Sequence, residues 1–356
     1  MRSFFPPDPT FCQPKVQGFV RLQNGRELFY EKILADPDKP TVVVLLGMTY
    51  QIETSDRFFD GLLDGDINVI RVELRGQGKT LARHFETQNT LSRISYLDQV
   101  HDLHQFLEAL KIMERVTLLG VSYGGSIALA FTALYPEHVR STIMIAPYVG
   151  ALPKQHSWIM REMAERKKAA EIRGEKMPSD RVLYAMLVRE FLERVVCPLE
   201  PSLAGVPHGS EALVALSQGI YQFRGTYWAR RLAKVAHRLP SQSLHLISAG
   251  EEEYMDRNDL KNLERAIPWE LFGSHVVVNS VKHKILEIEP SFTMGWVRHL
   301  VLGGYLGLRN ERVLVADPKR REIRSPSGKV CFKVVGSGCM YLLSRLGYGV
   351  GFFKPR

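Results

Sequence analysis

Apolar residues fall along this chain in two rhythms. Val16 to Leu22 and Arg26 to Leu34 alternate apolar and polar about Gln23-Asn24-Gly25, a pattern that predicts a β-hairpin. The runs Thr41 to Leu46, Arg115 to Leu119 and Ser141 to Ile145 are mostly apolar, as strands buried on both faces are, and Val69 to Leu74, with Arg71 and Glu73 inside it, closes a further strand. Between them Asp98 to Leu110 places Val100, Leu103, Phe106, Leu107 and Leu110 on one helical face. Such alternation predicts a mostly parallel sheet with helices on both sides. From about Tyr148 to Leu239 the pattern becomes helical throughout: Ser157 to Ile172, Arg181 to Val196 after Ser179 as N-cap, Glu211 to Gln218, and Tyr221 to His237. Two more strands, Ser243 to Gly250 and Ser274 to Asn279, and an apolar helix, Phe292 to Leu302, return to the first rhythm.

This divides the chain into a first α/β part (1–147), a helical insertion (148–239), a second α/β part (240–303) and a C-terminal extension (304–356). With 356 residues, 45% hydrophobic and 24% charged, the chain is long enough to bury a large core. No stretch approaches the ~18 consecutive apolar residues of a membrane span. Prolines interrupt Met1 to Pro7, so no secretory signal is expected there. Cys12, Cys197, Cys331 and Cys339 show neither metal-ligand pairing nor a disulfide framework, which predicts reduced thiols in a cytoplasmic protein. No metal or cofactor motif is found. The extension holds eleven Lys/Arg against three Asp/Glu, nearly all of the formal net charge of +9. Val313 and its neighbours and Lys329 to Val335 read as two strands around a basic turn. A β-rich appendage of that charge is a candidate contact for anionic surfaces, against the plainer reading of a solvated basic hairpin. Nucleic acid is not expected as a partner.

The chemistry concentrates at Gly120-Val121-Ser122-Tyr123-Gly124, between the strand ending at Leu119 and the small, apolar stretch Gly125 to Phe131. A serine on such a strand-to-helix turn is held in a strained backbone with its hydroxyl exposed at the sheet edge. The neighbouring chain passes so close that Gly120 and Gly124 must be very small. The alternative is that these glycines only ease helix–sheet packing. A serine needs a base, usually oriented by a carboxylate. His283 lies in the loop leaving the strand Ser274 to Asn279, where side chains gather at the ligand-binding edge. The acid is expected after Gly250, where Glu251, Glu252, Glu253 and Asp256 crowd together; no Asp or Glu occurs between Arg140 and Met160 to offer another exit. Glu253 is favoured, with Asp256 as the alternative.

Together these motifs resemble the α/β-hydrolase superfamily, in its lid-bearing, esterase- or lipase-like form, over roughly residues 14 to 302. The resemblance implies an acid three residues after the glycine closing the seventh strand, which falls on Glu253. It also fits Pro290, seven residues after His283, with Glu289 before it. Glu73-Leu74-Arg75-Gly76-Gln77-Gly78-Lys79-Thr80 is similar to the family's architectural turn after the fourth strand, so Glu73 and Arg75 carry no expected chemistry. The resemblance implies an oxyanion hole of two backbone N–H groups, those of Tyr123 and Met48. Here Leu46-Gly47 stands where the family often has His-Gly, and Lys282 where a glycine often precedes the histidine.

The expected function is therefore a serine hydrolase. It would cleave a small-molecule carboxylic ester of a lipophilic or aromatic acid, since the helical insertion is rich in Trp158, Met160, Met163, Tyr184, Met186, Leu187, Phe191, Tyr221, Phe223 and Trp228. A perhydrolase or acyltransferase would use the same triad. A catalytically weak hydrolase fold acting as a binding protein through the basic extension is the reading from a different class.

Overall fold

A computed structural model describes residues 15–34, 36–48, 50–59, 62, 65–87, 94–150, 153–191, 208–220, 223–252, 255, 257–303, 313–320, 322–324, 330–335 and 338–341. The chain opens with the hairpin β1 (Lys15–Arg21) and β2 (Glu27–Ile33). Gly25 takes φ +79° in its turn, and the Asn24 side chain accepts from the Arg26 N–H at 3.1 Å. There follow β3 (Thr41–Leu45), α1 (Ile52–Phe59), β4 (Asn68–Glu73), α2 (Gly78–Thr87), α3 (Tyr96–Ala109), β5 (Val116–Val121), α4 (Tyr123–Leu134) and β6 (Val139–Ile145). Ser95 caps α3, its hydroxyl accepting from the Leu97 N–H.

Among the described residues, four helices stand between β6 and the next strand: α5 (Pro153–Arg173), α6 (Asp180–Phe191), α7 (Gly209–Ile220) and α8 (Gly225–Val235). Residues 192–207 lie outside the described part, and with them the expected end of the second helix and Cys197; Tyr221 lies outside it too. Then come β7 (Leu244–Ala249), α9 (Arg257–Ala266), β8 (Phe272–Val278), α10 (Ile285–Ile288) and α11 (Pro290–Val301). The extension contributes β9 (Val313–Asp317), β10 (Glu322–Arg324), β11 (Val330–Val335) and β12 (Gly338–Tyr341).

All these strands join one sheet, in the order β1-β2-β4-β3-β5-β6-β7-β8-β9-β10-β11-β12. From β4 to β9 every neighbouring pair is parallel. The hairpin β1–β2 and the meander β10–β12 add antiparallel borders. Strands β3, β4, β5 and β7 are buried along their whole length, which explains why they are rich in apolar residues, and their polar side chains, Arg71 and Glu73 of β4 and His245 of β7 among them, are buried too. One face carries Leu103, Phe106, Phe131, Trp228 and Leu232 from α3, α4 and α8; the other carries Phe58, Phe59, Phe292, Trp296 and Val297 from α1 and α11. Strand order turns back on itself between β4-β3 and β5, and at such a point the loops diverge and leave a crevice.

Two expectations need correction. Among its described residues the extension has four strands where the sequence suggested two, and they join the central sheet rather than standing apart from it. β9 pairs in parallel with β8, from His275 opposite Val313 to Val278 opposite Ala316, and so prolongs the central sheet. The helical insertion is also less uniform than its composition suggested. Phe223, Trp228, Ala229 and Leu232 of the α8 region, with Ala215, Leu216 and Ile220 of α7, belong to the main core. Ile159, Met163, Leu183, Leu187, Val188, Leu213 and Val214 form a separate small core, with Met48 from the body packed against it. Met160 and Met186, counted above as lid surface, are exposed.

Candidate active site

Ser122 sits between β5 and α4 at φ +49°, ψ −112°, a conformation that L-residues adopt only under constraint. Its N–H donates to Ile145 O at 2.8 Å, and its carbonyl accepts from Gly125 N at 3.0 Å and Tyr148 N at 3.1 Å. The two glycines are required by contact. A Cβ on Gly120 would fall 2.4 Å from Gly124 O, and one on Gly124 would fall 2.1 Å from Leu45 O, backbone atoms that cannot swing aside. The elbow is thus pressed against the exit of β3.

Ser122 Oγ lies 2.9 Å from His283 Nε2. His283 is held in the loop after β8, with Asn279 N–H bonded to Ala316 O of β9 at 3.0 Å and Ile285 N–H bonded to His283 O at 2.9 Å. On its other nitrogen, Nδ1 is 3.0 Å from each carboxylate oxygen of Glu252. A carboxylate only accepts, so Nδ1 carries the proton and Nε2 is left to accept from the serine hydroxyl. The Glu252 side chain has no exposed surface, and one of its oxygens also accepts from Met255 N at 3.3 Å.

The carboxylate on His283 is therefore Glu252, which the sequence reading passed over for Glu253 and Asp256. Both of those lie outside the described residues. Just after Gly250 the backbone does not yet leave the sheet. Gly250 N–H still bonds Val278 O at 2.8 Å and Glu251 N–H bonds Val281 O at 2.9 Å. The acid loop stays fastened alongside the histidine loop, and a glutamate, one methylene longer than aspartate, reaches His283 from two residues after the glycine.

Tyr123 is the first residue of α4, and the first N–H groups of a helix have no carbonyl within it. Its ring is buried, and its hydroxyl donates to Gln99 Oε1, whose amide in turn donates to Arg75 O at 2.7 Å. Burial raises the phenol well above its ordinary value, so it stays neutral. Met48 follows Gly47 at the exit of β3. The sequence missed what holds this loop. Gln77 Nε2 donates to Gly47 O at 2.8 Å, while Gln77 Oε1 accepts from Leu74 N at 2.9 Å. Its signal was a buried amide inside a glycine turn read as purely architectural. Glu73 in that turn accepts from Ile52 N at 2.9 Å and Lys79 N at 2.6 Å, and burial raises its carboxyl above the usual range. Over the loop, Ser217 Oγ of α7 donates to Met48 Sδ at 3.4 Å.

Residues 36–192, less than half of the chain, match the family model for the serine aminopeptidases (S33); the match includes Ser122 and ends before Glu252 and His283. Solved structures extend the likeness to most of the chain. A membrane phospholipase A described as a bacterial virulence factor superposes with a TM-score of 0.56 over 83% of this chain and 87% of its own, at 17% identity. A structure reported for carboxylesterases of Nitrososphaera gargenis gives 0.53 over 81% of this chain and 100% of its own, at 19% identity. The chain has the α/β-hydrolase fold. Among curated relatives, the monoacylglycerol lipase ABHD6 of Rattus norvegicus is 30% identical over 31% of this chain and 31% of its own length. The human form is 27% identical over 39% of each. The chain spans less than half the length of the curated relatives it matches.

Proposed function

We propose that this α/β hydrolase is a serine esterase, acting on carboxylic esters with a lipophilic or aromatic acyl group. The observation that carries the reading is the continuous relay from Ser122 Oγ through His283 to Glu252, with both hydrogen bonds between 2.9 and 3.0 Å. Ser122 Oγ attacks the acyl carbon as His283 Nε2 takes its proton. Glu252 holds the imidazole by Nδ1 and stabilises the imidazolium. The carbonyl oxygen gains negative charge beside the N–H groups of Met48 and Tyr123, and a missing donor of this kind typically costs ~100- to 1000-fold in rate. His283 returns the proton to the departing alcohol, then draws one from water, whose oxygen attacks the acyl-enzyme and releases the acid.

The apolar choice of substrate is supported by Met48, whose side chain bridges the main core and the small core of α5, α6 and α7. The names of the relatives, a monoacylglycerol lipase and carboxylesterases, point the same way. The test is hydrolysis of p-nitrophenyl esters from acetate to palmitate, with amino-acid p-nitroanilides beside them. Turnover of esters that Ser122→Ala and His283→Ala lose by at least roughly 1000-fold supports the reading. Turnover of anilides alone would make the protein a peptidase.

A further inference from the structure

The loop carrying Met48 and the loop carrying His283 leave the sheet from β3 and β8, with β5, β6 and β7 between them. No ladder of backbone bonds can join strands so far apart, yet the reaction needs both loops around one acyl carbon. One side-chain contact does join them. Tyr50 closes the turn after β3, its N–H donating to Gly47 O at 3.1 Å, and its ring lies against Gly47, where a Cβ would come within 3.1 Å of Cδ2. The ring also packs on Phe58 of α1, centroids 5.7 Å apart. From there the hydroxyl donates to Glu287 Oε1 at 2.7 Å, across 237 residues of sequence. Glu287 lies in α10, the short helix that begins directly after His283, and Lys284 Nζ stands 3.6 Å from the same oxygen.

We propose that Tyr50 and Glu287 form a latch that sets the separation of the oxyanion loop and the histidine loop, so that both are positioning residues for the reaction at Ser122. The inference rests on the serine-hydrolase reading. The ring packs on Gly47 and Phe58 whether or not it carries a hydroxyl, so packing assigns the hydroxyl no task. Its task is the bond to the other loop. A hydrogen bond to a carboxylate is of the stronger kind, and small misplacements at a reacting centre cost much: about 1 Å can cost ~100-fold. The latch also supplies a brace where the loop has Leu46 in place of the superfamily's frequent histidine.

The experiment compares Tyr50→Phe, Glu287→Ala, Glu287→Gln and the double variant Tyr50→Phe/Glu287→Ala. It reads kcat and KM on the best p-nitrophenyl ester and the rate of Ser122 labelling by a fluorophosphonate. Tyr50→Phe and Glu287→Ala should each lower kcat and the labelling rate by roughly tenfold, with KM within about twofold. Glu287→Gln keeps an acceptor oxygen and should stay within about threefold of wild type, while the double variant should be no slower than either single one. Thermal unfolding should be nearly unchanged, since the bond is at the surface. An unaltered kcat in Tyr50→Phe, or losses that multiply in the double variant, would overturn the latch and leave the esterase standing. A wild type that neither turns over ester nor takes the label would overturn both.

Discussion

His283 Nδ1 stands midway between the two carboxylate oxygens of Glu252, 3.0 Å from each. The bond fixes the ring and its tautomer at once. Glu252→Gln keeps the size but puts an amide in place of an acceptor-only group, so the imidazole can turn its proton toward the serine. The expected loss in kcat is on the order of 1000-fold or more. Glu253→Gln should remain within a fewfold of wild type. A steady-state comparison of the two variants checks the assignment, and the reverse ranking would return the role to Glu253.

The loop carrying Met48 depends on Gln77. In Gln77→Leu the N–H of Leu74 loses its buried acceptor, at about 1–3 kcal/mol, while the carbonyl of Gly47 is left with Tyr50 N–H alone. The loop carrying Met48 should then drift. Ester kcat is expected to fall ~10- to 100-fold, alongside a lower unfolding midpoint. Chemical denaturation and kinetics on one preparation would show whether the two losses travel together.

Gly124→Ala tests the elbow. The added Cβ would stand 2.1 Å from Leu45 O, so either α4 or the end of β3 has to move. Overpacking of this kind costs roughly 1–3 kcal/mol. Activity should suffer more than stability, because the displaced atoms are those that carry Ser122 and the oxyanion donors. Gly174→Ala is the control for a general intolerance of alanine at glycine positions: nothing lies within 4 Å of its Cβ, although its own φ of +64° adds a small strain.

Acid should weaken the fold through His245. This residue of β7 is buried, with Nδ1 3.0 Å from Ser274 Oγ, and its ring fills the space a Cβ on Gly273 would need. Burial pushes its pKa down from 6.5 to about 3. Below pH 6.5 the unfolded chain takes up a proton that the folded chain refuses, so stability present above that pH is lost progressively as pH falls toward 3. The full loss is on the order of 4 kcal/mol. In His245→Gln the decline across that window should be shallower, as urea unfolding at stepped pH would reveal. Equal slopes would mean that the folded protein accepts the proton.

Much of this was legible in the sequence for identifiable reasons. The central strands announced themselves because strands buried on both faces are mostly apolar and leave no solvent-facing position to alternate with. Ser122 and His283 were readable because each sits at a strand exit, and the elbow's close approach demands glycines that can be seen. Glu252 was not, because which carboxylate of a cluster turns inward depends on how long the loop keeps its bonds to the next strand. Gln77 and Tyr50 escaped for a related reason: each acts across tens to hundreds of residues, and neither residue type is unusual in a turn. The union of β9 with β8 was hidden as well, since a β-branched run does not say which edge it will extend.

That union changes what the basic extension is. Cutting the chain after residue 303 would bare the edge of β8, a parallel strand whose His275 to Val278 are otherwise paired with Val313 to Ala316. It would also release Asn279 from Ala316, at the root of the loop that carries His283. A truncated protein should therefore stick to itself and lose the activity proposed for Ser122 for reasons unrelated to charge. Any affinity of residues 304–356 for anionic surfaces has to be probed by neutralising lysines and arginines one by one. In this protein the C-terminus is a selvedge, woven in the same cloth as the catalytic edge.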